Sequence, residues 1–316
     1  MADLHPRLRL LLLANRLLHP KSTHERPPEA ARKAVEASFF QARLLLEFPP
    51  ADLYRTEDRM IPVGGTDIPV RLYYPSAMPV HPVTLFFHGG GFTVGSLRLY
   101  DLLCRRLANQ SGSLVVSVGY RLAPEHKFPA GLEDCYQALR WVEQHIAPLG
   151  GDPARIAVAG DSAGGNLATA VCILARDRQG PRITAQALIY PVTDGTMAAP
   201  SISRYGRGYY LEAETMRWFM DCYTSSPSER AHPLVSPLLH PDLRGLPPAL
   251  VLTAEYDPLH DEGQQYAARL REAGNEVACF DYPGMIHSFF MMPRWVSPAR
   301  EAMQAAANFL RTRLRD

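Results

Sequence analysis

The chain has 316 residues, of which 47% are hydrophobic and 21% charged, and its formal net charge is +1. That composition fits a soluble globular protein with a large core, within reach of a single α/β unit carrying insertions, and the near-zero charge argues against nucleic-acid binding. Five scattered cysteines (Cys104, Cys135, Cys172, Cys222 and Cys279) without a C-x-x-C spacing exclude a disulfide framework and a zinc site, and point to buried thiols in a reducing, cytoplasmic setting.

At the start, Arg7 and Arg9 precede the run Leu10 to Ala14, a faint likeness to a signal peptide. The run breaks at Asn15-Arg16 and no small-x-small site follows, so it reads as a helix that packs on the rest of the chain. No stretch is apolar enough for long enough to span a membrane. Residues 1–50 read as two helices joined by a proline-containing link, with Val35, Phe39, Ala42 and Leu46 at helical spacing in the second. Strands follow over 54–63 and 67–74, flanking the turn signal Gly64-Gly65. The apolar run 83–87 reads as a buried strand and ends at His88-Gly89-Gly90-Gly91-Phe92. Then come a helix over 98–110, a strand over 114–118, the loop Tyr120 to His126, a helix over 130–147 and a strand over 155–159.

That strand runs into Gly160-Asp161-Ser162-Ala163-Gly164-Gly165-Asn166, and a helix follows over 167–175. A serine on a sharp strand-to-helix turn, flanked by glycines, is the nucleophile-elbow arrangement. A bare small-residue turn is the plain alternative. So is a chymotrypsin-like protease, whose Gly-Asp-Ser-Gly-Gly differs only at Ala163; its preceding histidine and aspartate and all-β fold do not suit this chain.

Beyond a strand over 185–190, residues 194–247 break the rhythm and read as an insertion with one helix over 212–223. Alternation resumes with a strand over 249–254, a helix over 261–273, a strand over 277–281 and a last helix over 298–313. Strands alternating with helices predict an α/β fold, with a mostly parallel sheet covered on both faces. The chain divides into a front segment 1–50, a first core part 51–193, the insertion 194–247 and a second core part 248–316.

In such a sheet the active groups gather at the carboxyl ends of strands. Ser162 is the expected nucleophile, His287 the base and Asp257 the acid that orients it, in the chain order of an α/β-hydrolase. Glu255, Asp261 and Glu262 compete for the acid role, and Asp257 before Pro258 could equally be a helix cap. The amides of Gly89, Gly90 and Ala163 are the expected oxyanion hole. A phosphate loop is disfavoured, since the triple glycine matches neither phosphate-binding pattern. His126 and His260 lack metal-ligand spacing, so neither metal nor cofactor is expected.

Five stretches together carry a resemblance: His88 to Phe92, Tyr120 to Glu125, Gly160 to Asn166, Asp257-Pro258-Leu259-His260-Asp261-Glu262-Gly263, and Ile286-His287-Ser288-Phe289. They resemble the motif set of the bacterial hormone-sensitive-lipase-like carboxylesterases. The resemblance implies an α/β-hydrolase fold with a helical cap, built from residues 1–50 and 194–247, and cofactor-free hydrolysis of a small-molecule ester with a short to medium acyl chain. Ser288 departs from it, where the family usually has glycine. A ligand-binding receptor on the same fold is the rival reading. Plant gibberellin receptors resemble this family without its histidine, so His287 favours an enzyme. Arylamide or lactone hydrolysis stays open, and so does the oligomeric state, with a homodimer among the options.

Overall fold

A computed structural model describes residues 4–18 and 21–315. Two helices lead, α1 (Pro6–Leu18) and α2 (Pro28–Leu46). The core then runs β1 (Arg55–Val63), β2 (Thr66–Tyr74), β3 (His81–Phe87), α3 (Asp101–Ser111), β4 (Leu114–Val118), α4 (Ala130–His145), β5 (Gly151–Asp161), α5 (Ala163–Asp177) and β6 (Ala185–Ile189). Two helices, α6 (Pro200–Tyr205) and α7 (Ala213–Tyr223), precede β7 (Ala249–Tyr256), α8 (His260–Glu272), β8 (Val277–Ile286) and α9 (Ser297–Arg313).

The strands form one sheet in the order β1-β2-β4-β3-β5-β6-β7-β8. β2 pairs antiparallel with β1 and β4, and the other pairings are parallel. Alternate residues of a strand point to opposite faces, and β3 shows the result. Leu85 and Phe87 join the apolar layer under α4, α5 and α8, while Phe86 joins the layer under α3 and α9. Both faces of the sheet are covered, which is why β3, β4 and β6 are buried almost throughout and mostly apolar, with Thr84, Ser117 and Gln186 among the buried polar exceptions. Each large apolar side chain so buried contributes about 1.5–3 kcal/mol.

The predicted elements are present, with two differences that matter. β5 extends to Asp161, and β8 runs to Ile286 where a strand ending at 281 was expected. A register shift between Ala254 and Tyr256 lets β7 and β8 keep pairing to the Tyr256–Ile286 pair. Residues 194–247 hold α6, α7 and 3-10 turns, and no strand is assigned there. Among the described residues no helix is long and apolar enough to cross a membrane.

The front helices α1 and α2 and the segment that carries α6 and α7 are fastened to the sheet layers and to each other. Arg32 of α2 donates to the carbonyls of Thr93 and Ala123, both at 2.8 Å, and pairs with Glu125. His24 bonds Thr215 of α7 at 2.9 Å. Lys127 donates to the carbonyls of Asp221 and Thr224 at the end of α7. Asn166 of α5 donates to the carbonyls of Val192 and Val235, both at 2.9 Å, and so ties together the chain on either side of the insertion's helices.

Candidate active site

Ser162 joins β5 to α5 with φ +55° and ψ −119°, a conformation that costs a non-glycine residue about 1–3 kcal/mol. Hydrogen bonds hold it there. Its amide donates to Ile189 O at 2.8 Å, and its carbonyl accepts from the amides of Asn166 and Val192, both at 3.1 Å. The flanking glycines leave no room for side chains. A Cβ on Gly164 would lie 1.9 Å from the Phe87 carbonyl oxygen, and one on Gly160 would lie 2.3 Å from that of Gly164.

Tyr256 and Ile286 face each other across β7 and β8, so Asp257 and His287 leave the two strand ends side by side. Asp257 Oδ2 lies 2.6 Å from His287 Nδ1, and His287 Nε2 lies 3.0 Å from Ser162 Oγ. An ionised carboxylate only accepts, so Nδ1 carries the proton and Nε2 is left to accept from the serine hydroxyl. The three side chains are buried, Asp257 completely. The Tyr190 ring packs against the imidazole at 4.6 Å between centroids.

The four acids separate by partner. Glu255 accepts the Gly284 amide at 2.7 Å and holds the end of β8. Asp261 pairs with His260 and Arg204. Glu262 is fully buried and accepts the amides of Thr193 and Asp194 at 2.7 and 3.1 Å. Burial pushes its carboxyl well above the usual range. Asp257 fills both roles suggested for it, because Oδ1 takes the Leu259 amide at 2.9 Å while Oδ2 faces His287.

The glycine loop departs from expectation at one position. The Gly89 amide donates to Asp161 Oδ1 at 2.8 Å and to the Tyr100 hydroxyl oxygen at 3.1 Å. It is therefore committed, and Gly89 is corrected out of the oxyanion set. Among the described residues the amides of Gly90, Gly91 and Ala163 have no acceptor. Gly90 and Gly91 sit at φ +114° and +56°, conformations natural to glycine. A Cβ on Gly91 would fall 2.1 Å from the Phe219 ring, so α7 of the insertion rests directly on this loop.

Two groups that the sequence reading passed over support the loop. Asp161 is buried beside the nucleophile and also accepts from the Tyr100 hydroxyl at 3.0 Å. Burial raises its carboxyl to about 6, against the pull of its bonds to Tyr100 and Gly89. His88 is stacked on Tyr120 at 4.4 Å between centroids and bonds the Gly89 carbonyl through Nδ1 at 2.8 Å. Burial lowers its pKa to about 4, so it stays neutral at ordinary pH. The signal for Asp161 was a lone acid at the end of an apolar strand, next to the serine. For Gly91 local sequence held none.

A model of the α/β-hydrolase fold family matches residues 84–291. The chain is 42% identical over 256 residues to a Pseudomonas putida protein named ethyl acetate hydrolase, covering 79% of this chain and 80% of the relative. It is 42% identical over 264 residues to the carboxylesterase NlhH of Mycobacterium tuberculosis, covering 81% and 83%. The solved structure of a hyperthermophilic esterase from the archaeon Pyrobaculum calidifontis matches with a TM-score of 0.91 and 41% identity over 98% of both chains.

Proposed function

The chain belongs to the α/β-hydrolase-fold family, and on that premise we propose that it is a serine carboxylesterase whose chemistry is carried by Ser162, His287 and Asp257. The observation that carries the reading is the unbroken line of hydrogen bonds from Asp257 through His287 to Ser162 Oγ, at 2.6 and 3.0 Å.

His287 Nε2 takes the hydroxyl proton as Ser162 Oγ attacks the ester carbonyl. Asp257 stabilises the imidazolium that forms and keeps the ring in the productive tautomer. Negative charge develops on the carbonyl oxygen, and the unpaired amides of Gly90, Gly91 and Ala163 are the donors for it. Ala163 opens α5, so the positive end of the helix dipole adds to the field there. The tetrahedral intermediate collapses, His287 passes its proton to the leaving alcohol, and an acyl-Ser162 ester remains. Water, deprotonated by His287, attacks that ester and releases the acid and the free serine.

The described residues of the front segment, 4–18 and 21–50, together with 194–247, form the cap over this site, on the core parts 51–193 and 248–315. Support comes from the Phe219 ring against Gly91 and from the bond between His24 and Thr215. An aromatic ring held this close to the oxyanion loop limits pocket depth, which favours short to medium acyl chains. Two measurements test the reading together. A fluorophosphonate adds one adduct at Ser162 and none to Ser162→Ala, and p-nitrophenyl esters give a maximum at short to medium chains. Labelling of the Ala variant at the parent rate overturns the nucleophile. Activity that rises steadily from butyrate to palmitate overturns the shallow pocket.

A further inference from the structure

Helix α1 contains seven leucines, and the fold uses only part of them. Leu4, just before the helix, and Leu8 are buried in the layer under α9, and Leu11 and Leu12 pack partly against it. Leu10, Leu13 and Leu17 point outward, with 63%, 57% and 73% of their surface exposed. Single exposed leucines are ordinary; these three are not scattered. At about 100° per residue they fall within about 60° of arc, one stripe along the helix. Arg7 lies along one side of the stripe, and Arg9 and Arg16 lie along the other. All three arginines are exposed, and α1 contains no acidic residue.

The stripe does not stand alone. Leu44 and Leu45, at the end of α2, are 78% and 61% exposed. Segment 294–295 links the two helices. Arg294 donates to the carbonyls of Leu44 and Leu46, while Arg7 donates to the Trp295 carbonyl and accepts, through its own carbonyl, from the Trp295 indole. Exposed leucines framed by guanidinium groups are therefore shared by both front helices.

We propose that this face of α1 and the end of α2 is a docking surface for an anionic lipid bilayer. The leucine stripe enters the boundary between headgroups and acyl chains, and the flanking arginines stay at the phosphates. At 13 residues α1 is too short to span, so the protein lies on the surface. A second copy of the chain fits the face less well. A two-fold contact presents the same patch on both partners, which brings rows of arginines against rows of arginines with no acid on α1 to answer them. Docking concentrates the esterase where apolar esters partition. It requires no lid movement and no interfacial activation.

The test is co-sedimentation of the full chain with vesicles of ether-linked phosphatidylcholine, with or without ether-linked phosphatidylglycerol. Ether linkages keep the enzyme from consuming the probe. The parent is expected to bind the anionic vesicles, to bind neutral ones at least tenfold more weakly, and to be released by high salt. Leu10→Ser/Leu13→Ser/Leu17→Ser is expected to lose at least tenfold in binding while its circular dichroism is unchanged. Arg7→Gln/Arg16→Gln, which keeps the leucines, is expected to lose the preference for anionic vesicles. Equal binding by the triple variant, or no binding by the parent, overturns the proposal. So does a dimer in light scattering that the triple variant converts to monomer, since a second copy then covers the face. Ser162→Ala is expected to bind vesicles like the parent, so the outcome is independent of the esterase reading.

Discussion

Asp257 reaches His287 through one carboxylate oxygen, 2.6 Å from Nδ1, and keeps its other oxygen on the Leu259 amide at 2.9 Å. One side chain thus caps the turn into α8 and orients the imidazole. Asp257→Asn separates the two duties. Asparagine caps about as well as aspartate, so Oδ1 keeps the Leu259 amide and the melting temperature changes little. The amide then presents N–H to Nδ1 and imposes the wrong tautomer. A change of this kind costs serine proteases about 10⁴ in kcat, and a loss of that order is expected here, read with p-nitrophenyl butyrate. Retention of more than about a tenth of kcat, a barrier change under about 1.4 kcal/mol, would reduce Asp257 to a cap.

Asp161 and His88 give a pH signature. The Asp161 carboxyl titrates at about 6 in the folded chain against an ordinary 3.8. Folding holds that proton more tightly, so the contribution to stability is full below 3.8 and is lost as pH rises through about 6. His88 is drawn from 6.5 down to about 4. Its contribution is full above 6.5 and is lost as pH falls toward 4. The two oppose each other across the same interval. Asp161→Asn removes the first and leaves the second exposed. Between pH 6.5 and pH 4 the variant is expected to lose about 2 kcal/mol relative to the parent. Urea denaturation at the two pH values checks this, and parallel pH profiles for parent and variant contradict it.

Ser288, next to His287, sits at φ +66° and ψ 8°. That explains why the family resemblance has glycine there: the left-handed region costs a residue with a side chain about 1–2 kcal/mol. Glycine relieves the strain and pays back about 0.5–1 kcal/mol in unfolded-state entropy. Ser288→Gly should therefore shift stability by less than about 1 kcal/mol and leave kcat nearly unchanged. Ser288→Val, β-branched at positive φ, should lose more than about 1 kcal/mol and lower kcat by displacing His287. Denaturant melts and ester hydrolysis of both variants decide it; a Val variant indistinguishable from the parent removes the backbone argument.

Phe219 touches the position where a Cβ on Gly91 would be. Phe219→Ala should deepen the pocket. The ratio of kcat/KM for octanoate over butyrate is expected to rise about tenfold, equivalent to about 1.4 kcal/mol. An unchanged ratio would place the acyl chain elsewhere.

Local signals in the sequence determined the elements and the triad candidates. Glycines at 160 and 164 announced the tight turn around Ser162, and apolar runs ending at Phe87 and Ala159 marked strands whose carboxyl ends carry chemistry. Such signals are legible because backbone conformation and hydrophobic period are properties of a few adjacent residues. Tertiary structure decided what depends on neighbours far along the chain. Which acid meets His287 follows from the pairing of Tyr256 with Ile286, which sets Asp257 beside it and sends Glu255 and Glu262 to other amides. Which glycine amides stay free follows from the pairing of Phe87 with Gly160. That pairing puts the Asp161 carboxylate against Gly89, 72 positions away, and leaves Gly90 and Gly91 unpaired. A hydrogen-bond donor can face any acceptor that folding brings near it, and spacing along the chain does not encode which one arrives.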